Sequence, residues 1–283
     1  MIFWLNGVER SADEPLLSPL DRGFTLADGL FETMRASSGV IFRLDAHLDR
    51  LCIGARLLGI PLPPALRDHV ATAARSALAA GYEHASIRLT VSRGPAPPGL
   101  APPLHPAPTI ALAIAPFTPP HAPRAIVAMM ASARRNEYAL TAGVKTLAYT
   151  ESVVALAQAK ASGADDAIFL DTAGHVSEAT ASNLFALVDG TLVTPPLGCG
   201  VLPGITRATV LALAPTLGIA AVERELAEPE LAAASEIFLT SSIREIAPLV
   251  RIETIAIGTG RSGVVTARFV DAYAALVREE CRA

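Results

Sequence analysis

Lys145 sits in Gly143-Val144-Lys145-Thr146-Leu147-Ala148-Tyr149, just ahead of a stretch in which Val153, Val154, Leu156 and Ala157 fall at helical spacing. Burying its ammonium without a partner is costly or strips its proton, and the neutral amine attacks carbonyls. A lone lysine ordinarily keeps its head in water, so this reading depends on the other residues. Glu178 stands in Gly174-His175-Val176-Ser177-Glu178-Ala179-Thr180-Ala181-Ser182-Asn183-Leu184-Phe185, between two predicted strands. Small residues and hydroxyls there could hold a carboxylate at a strand end. Pro203-Gly204-Ile205-Thr206-Arg207 opens a predicted helix, with Thr206 as candidate cap, whose first N–H groups and positive dipole end suit a phosphate. Thr240-Ser241-Ser242 follows the strand Ile237 to Leu239 and adds hydroxyl and amide donors, a cluster that ordinary turn chemistry also produces.

Other chemistries find less support. His47, His69, His84, His105, His121 and His175 show no spacing such as His-Glu-x-x-His, and no metal site is expected. Cys52, Cys199 and Cys281 are too scattered for a disulfide framework or a paired zinc site. Cys199, in a loop expected to border the site, has no base beside it in the sequence that would make it a nucleophile. Lys plus Arg number 23 against 27 Asp plus Glu, with no basic run, which excludes a phosphate-backbone binder. No apolar run reaches the roughly 18 residues of a membrane span. Met1-Ile2-Phe3-Trp4-Leu5-Asn6-Gly7 has neither a basic n-region nor a long apolar h-region, so a reducing cytoplasm is expected.

With 283 residues, 51% of them hydrophobic, the chain can fill two cores. Strands are predicted at 2 to 5 and 40 to 43, with a surface loop between them and a hairpin at Asn6-Gly7. From Leu44 the spacing turns helical, with Asp45 as candidate cap, until Gly59 and Pro61 stop it, which puts Arg50 on a helix. A second helix over 64 to 80 precedes strands at 86 to 92 and 109 to 115, separated by the proline-rich loop 94 to 108. Four prolines in the eight residues from Pro116 to Pro123 mark a boundary. The expected division is an N-terminal α+β domain over 1–115, a linker over 116–124 and a C-terminal α/β domain over 125–283. In the latter, strands (126 to 132, 167 to 171, 184 to 188, 192 to 194, 236 to 240, 253 to 257) alternate with helices (149 to 162, 206 to 217, 228 to 234, 265 to 279). Hairpin signals at Ala173-Gly174 and Asp189-Gly190 imply antiparallel pairs and disfavour a doubly wound fold.

Together these segments resemble the class IV, fold type IV, family of pyridoxal-phosphate enzymes: branched-chain aminotransferases, D-amino-acid transaminases and aminodeoxychorismate lyases. The resemblance runs nearly end to end, through Leu20-Asp21-Arg22-Gly23-Phe24, Asp28-Gly29-Leu30-Phe31-Glu32-Thr33-Met34-Arg35, His47-Leu48-Asp49-Arg50-Leu51, Ser92-Arg93-Gly94 and the Lys145, Glu178 and Pro203 segments. It implies an α/β protein of D-amino-acid aminotransferase-like fold with pyridoxal 5'-phosphate as cofactor. By resemblance, Lys145 carries the cofactor as a Schiff base and shuttles the proton. Glu178 partners the pyridine nitrogen, and Tyr149 bonds the phenolic oxygen. Arg50, the amides of Ile205 and Thr206, the Thr206 hydroxyl and Ser241 or Ser242 form the phosphate cup. Phe31, Arg35 and Arg93 are the substrate-side candidates, the arginines for a carboxylate.

The implied activity is transfer of an amino group from an amino acid or amine to a 2-oxo acid; the alternative is aminodeoxychorismate lyase, releasing 4-aminobenzoate and pyruvate. Retention of both Lys145 and Glu178 argues against a silent member. Phe31-Glu32-Thr33-Met34-Arg35 departs from the Phe-Glu-Gly-Ile-Arg usual in branched-chain enzymes, and Leu26 stands where several have an aromatic. No Arg-x-His pair follows at Arg93, unlike D-amino-acid transaminases. The family also implies a homodimer, with the 94 to 108 loop gating a pocket.

Overall fold

The computed structural model describes the chain except for residues 12, 15, 16, 120, 121 and 283. It forms two compact units, one of Met1–Pro119, Lys145–Ala148 and Val277–Ala283, the other of Pro120–Val144 and Tyr149–Leu276. A linear cut at 116–124 does not reproduce these units, because Lys145–Ala148 pairs with a first-unit strand. Pro120 and His121 of the expected linker lie outside the described residues.

The first unit contains β1 (Ile2–Leu5), β2 (Val8–Arg10), α1 (Arg22–Leu26), β3 (Gly29–Ser37), β4 (Val40–Ile41), α2 (Leu44–Leu58), α3 (Leu66–Ala79), β5 (His84–Ser92) and β6 (Thr109–Pro116). Its antiparallel sheet has the order β2-β1-β6-β5-β3-β4 among the described residues. Asn6 and Gly7 both take positive φ, as a two-residue hairpin turn requires. Alternate residues Leu30, Met34, Ile87, Leu89, Leu112 and Ile114 are buried on the side that α2 and α3 cover, each worth about 1.5–3 kcal/mol of burial. Residues 29–37, expected as loop, are a strand buried on both faces. Glu32 and Arg35 interrupt the apolar pattern that would have announced it. Helix α2 begins after Arg43 in the left-handed region rather than at an Asp45 cap, and Asp45 lies in the first turn, where its charge still suits the dipole. Gly59, at φ 64°, closes the helix by donating to Ala55 and Arg56 carbonyls.

The second unit contains β7 (Ile126–Arg135), α4 (Thr150–Ala161), β8 (Asp166–Asp171), β9 (Val176–Ala179), β10 (Asn183–Val188), β11 (Thr191–Thr194), α5 (Ile205–Leu213), β12 (Ala221–Glu223), α6 (Glu228–Ala233), β13 (Glu236–Ser241), β14 (Glu245–Ile252), β15 (Ile255–Ala256) and most of α7 (Val264–Glu280). The sheet order is β12-β11-β10-β13-β14-β7-β8-β9, with β15 on β14. The pairs β14–β7, β7–β8 and β11–β12 are parallel and the others antiparallel, including the two predicted hairpins β8–β9 and β10–β11. The strand expected at 253 to 257 is the two-residue β15, and the longer β14 before it, with Pro248 inside, was not expected. In α4 the packed face is Ser152, Ala155 and Ala159, while Val153 and Val154 stay exposed. Small side chains let the helix lie close on β7 and β8, so the apolar spacing in the sequence marks the outer face. No described helix is long and apolar enough to cross a membrane.

Candidate active site

Lys145 is held through its backbone. Phe31 N–H donates to the Lys145 carbonyl and Leu147 N–H to the Gly29 carbonyl, each at 3.0 Å, with Leu30 and Thr146 bridged between them. Gly29 permits this approach: a Cβ there would lie 2.4 Å from the Val91 carbonyl oxygen and 2.8 Å from Leu147 Cδ1. The Lys145 Nζ stands 4.2 Å from the centroid of the Phe31 ring, which also carries the Arg88 guanidinium at 3.8 Å. Phe31 is therefore a cation–π platform for the lysine.

The next residue of β3, Glu32, is fully buried and accepts from Arg50 Nε at 2.8 Å and Nη2 at 2.6 Å and pairs with His47 Nδ1 at 2.7 Å. Burial pushes the Glu32 carboxyl up, but the His47 and Arg50 hydrogen bonds and charges outweigh it and hold it below its ordinary value. Burial pushes His47 down, and the Arg50 and Lys145 charges add to this against the pull of Glu32, so His47 is neutral and donates Nδ1–H. Arg50, the phosphate-cup candidate, thus presents a guanidinium oriented by a bidentate carboxylate.

Arg93 corrects an expectation. Its Nε and Nη2 meet Asp28 at 2.7 and 3.0 Å, and it donates to the carbonyls of Gly59 (3.1 Å) and Leu58 (2.7 Å) at the end of α2. Those donors serve a half-buried carboxylate and a helix C-terminus, so Arg93 is a structural anchor and not a substrate clamp. Arg22 shares Asp28 at 2.8 Å and donates to the carbonyls of Gly99, Leu100 and Ala101, tying down the loop expected to be a gate. Burial raises the Asp28 carboxyl, but bonds from Arg93 and Arg22 win and keep it below its ordinary value. Arg35 is buried with its guanidinium 5.4 Å from the Phe117 ring centroid.

In the second unit, Glu178 on β9 is 9% exposed, and its Oε2 accepts from Asn183 Nδ2 and Leu202 N–H, both at 3.1 Å. Arg135 Nη2 lies 3.9 Å from Oε1, its guanidinium stacked 4.1 Å from the Phe169 centroid. Asn183 also donates to the Leu202 carbonyl at 2.9 Å. Residue 204 must be glycine for this: a Cβ there would lie 1.9 Å from Asn183 Oδ1. Gly204 is the N-cap of α5 and supplies no side-chain cap. Thr206, expected to cap, sits inside the first turn, buried, its hydroxyl 3.4 Å from that of Tyr273. Ser241 ends β13 and accepts from Arg244 N–H at 3.2 Å, and Ser242 follows it half-buried. The buried Thr240 hydroxyl beside them has no hydrogen-bond partner among the described residues. Tyr149 is half-buried at the N-cap of α4. Sequence reasoning gave no role to Asn183, Arg135 or Leu202; a backbone amide has no side-chain signature, though Asn183 beside Glu178 in a run of small residues was a usable one.

Comparison with known proteins matches this arrangement to one family. The model for amino-transferases of class IV covers residues 29–252. A Methanocaldococcus jannaschii protein, provisionally named a branched-chain-amino-acid aminotransferase, is 35% identical over 274 residues, 96% of this chain and 95% of its own. The crystal structure of the Escherichia coli branched-chain amino acid aminotransferase superposes with a TM-score of 0.91 at 28% identity, covering 99% of this chain and 96% of that one. The 4-amino-4-deoxychorismate lyase structure from Pseudomonas aeruginosa gives 0.83 at 33% identity, covering 95% and 97%. The extent of these matches, spanning the β3, Glu178 and α5 segments, shows that this chain belongs to the class IV aminotransferase family, with the fold of the type IV pyridoxal-phosphate enzymes.

Proposed function

We propose that this protein uses pyridoxal 5'-phosphate to move an amino group from an amino acid or amine to a 2-oxo acid. The observation that carries the reading is the loop Leu202–Gly204. Leu202 N–H fixes the Glu178 carboxylate, and two residues later Gly204 opens α5 with amides that the helix itself does not use. An enclosed carboxylate and an uncapped helix start, delivered by one loop, suit the protonated ring nitrogen and the phosphate of the cofactor. The orphaned Thr240 hydroxyl beside Ser241 and Ser242 adds a donor to that side.

When bound, the cofactor supplies the electron sink for breaking the Cα–H bond. The chain's own residues have separate tasks. Glu178 holds the ring nitrogen protonated, and Asn183 and Leu202 keep its carboxylate aimed. Lys145 bonds the cofactor and carries the proton, starting from a backbone clamped by β3 and a head group resting on Phe31. Ile205, Thr206, Ser241 or Ser242, and Arg50 as oriented by Glu32, receive the phosphate; Tyr149 steadies the ring oxygen. Arg35 remains the candidate for a substrate carboxylate. Residues 125–283 are proposed as the cofactor-binding domain. A cytoplasmic homodimer is part of the same reading, supported by large apolar side chains left on the surface, such as Tyr138, Leu140 and Val153.

The lyase reading draws on the P. aeruginosa structure, whose 33% identity exceeds the 28% of the E. coli aminotransferase structure. Half-reactions with a panel of D- and L-amino acids and amines, run beside pyruvate release from aminodeoxychorismate, separate the two. Borohydride reduction should fix the cofactor to the Lys145 peptide, and Lys145→Ala should abolish both turnover and that adduct. Near-normal activity in the variant would overturn the proposal.

A further inference from the structure

The fold assembles a group of metal-ligating side chains that their spacing in the sequence conceals. Asp171 ends β8, His175 closes the turn into β9, and Cys199 comes from the 3-10 turn Leu197–Cys199; one ligand atom from each lies within 4.8 Å of the others. Asp171 and Cys199 are buried, and the His175 side chain is 33% exposed, which gives the group one way out to solvent. Backbone contacts hold the three in place: His175 N–H donates to Asp171 Oδ1 at 2.8 Å, Asp171 N–H to the His175 carbonyl at 2.8 Å, and the Ser177 hydroxyl to the Cys199 carbonyl at 2.7 Å.

The imidazole orientation also suits a ligand. Nδ1 faces Asp171 Oδ2 at 3.4 Å and Nε2 faces Glu225 Oε2 at 3.6 Å. With Nδ1 bound to a metal, Nε2–H would point at a carboxylate, the usual way a liganding histidine is oriented. The carboxylates of Asp171 and Glu225 flank the two imidazole nitrogens, placing beside the buried Cys199 negative charge that a cation would neutralise.

We propose that Asp171, His175 and Cys199 bind a thiophilic divalent cation of the zinc type, with a fourth position open to water or Glu225. Thiolate, imidazole and carboxylate form a zinc donor set, whereas magnesium and calcium prefer oxygen alone. The site is a staple: the Cys199 turn runs directly into Leu202, whose N–H holds Glu178, and Ser177 ties that turn to the strand bearing Glu178.

Equilibrium dialysis of the purified protein against Zn²⁺, with metal content per chain as readout, tests this without reference to turnover. One equivalent is expected, lost in both His175→Gln and Cys199→Ser and retained in His105→Gln. Because Cys199 is buried, the third-exposed His175 supplies the variant best able to keep its fold, checked by its melting temperature in chelator. Cobalt substitution should add a thiolate charge-transfer band to the difference spectrum, absent in Cys199→Ser. Substoichiometric zinc, one equivalent that survives both variants, or a cobalt complex without the thiolate band would each overturn the assignment.

Discussion

Glu178→Gln separates the charge of this side chain from its packing. The glutamine Oε1 can accept both N–H bonds that Glu178 Oε2 accepts at 3.1 Å from Asn183 and Leu202. Its Nε2 then takes the place of the oxygen lying 3.9 Å from Arg135 Nη2 and meets another donor there. Each bond falls from the charge-assisted range of about 1.5–3 kcal/mol to the neutral range of about 0.5–1.5 kcal/mol. Removing a nearly buried charge recovers part of its desolvation cost. The net loss of stability should therefore be about 1–2 kcal/mol, from two bonds weakened by roughly 1 kcal/mol each. Turnover should suffer more, because a positioned electrostatic contribution is worth about 10²–10³-fold, or about 2.7–4 kcal/mol. Urea unfolding measures the first quantity; single-turnover Cα proton abstraction at saturating cofactor measures the second. A rate loss under about tenfold with the cofactor fully bound would refute the assigned role. So would a rate loss fully explained by lost cofactor.

Asp28→Asn should leave two buried guanidinium groups facing a neutral amide and cost about 3–5 kcal/mol in urea unfolding, with faster proteolysis inside residues 94–108; a loss below about 1 kcal/mol would contradict the anchor. Glu32 and His47 both titrate below their ordinary values, so the unfolded chain binds more protons and stability falls with acid. The His47 contribution is complete above pH 6.5 and declines as pH drops from there through its lowered folded pKa; that of Glu32 is complete above 4.5 and is lost below it. His47→Gln should remove the upper phase and spare the lower, and a wild-type stability profile flat from pH 6.5 to 4.5 would contradict this. Arg50→Lys keeps a charge but loses the fork onto Glu32, and should weaken cofactor retention on dialysis by about 1.5–3 kcal/mol; retention equal to wild type would place Arg50 outside the cup.

What could be read from the sequence was what local chemistry encodes. The hairpin at Asn6-Gly7, the span of α2 up to Gly59 and the opening of α5 after Pro203-Gly204 all rest on backbone preferences of adjacent residues. The setting of Glu178 was visible for the same reason, as a carboxylate among small residues and hydroxyls. Residues whose meaning lies in a distant partner were not legible. Arg93 finds Asp28 and Arg22 finds Gly99–Ala101 across long stretches of chain, so nothing near Arg93 distinguishes an anchor from a clamp. The burial of β3 was hidden because the Glu32 carboxylate within it is met by His47 and Arg50 of α2 and its Arg35 lies over the Phe117 ring. In α4 the spacing of Val153 and Val154 gives a periodicity without saying which face the sheet takes. His175 and Cys199 fail every linear motif because a hairpin turn and a separate 3-10 turn bring them together.

The anchoring of the 94–108 loop bears on how such proteins diversify. Its neck is pinched at Gly94, where a Cβ would fall 1.8 Å from the Ala107 carbonyl oxygen, and Arg22 N–H and Ala96 N–H close it against residues Gly94 and Leu20. Its middle hangs from the Arg22 side chain. The path of the loop is therefore specified by Leu20, Arg22, Asp28 and Gly94 more than by the residues that form its crest. Leu100 and Leu104, both largely exposed, can be exchanged without disturbing a single anchor, which gives selection a firm scaffold with replaceable tips. A loop transplanted from a relative lacking the Arg22–Asp28 pair would arrive without its supports, and grafts here should succeed only when the anchoring residues travel with it.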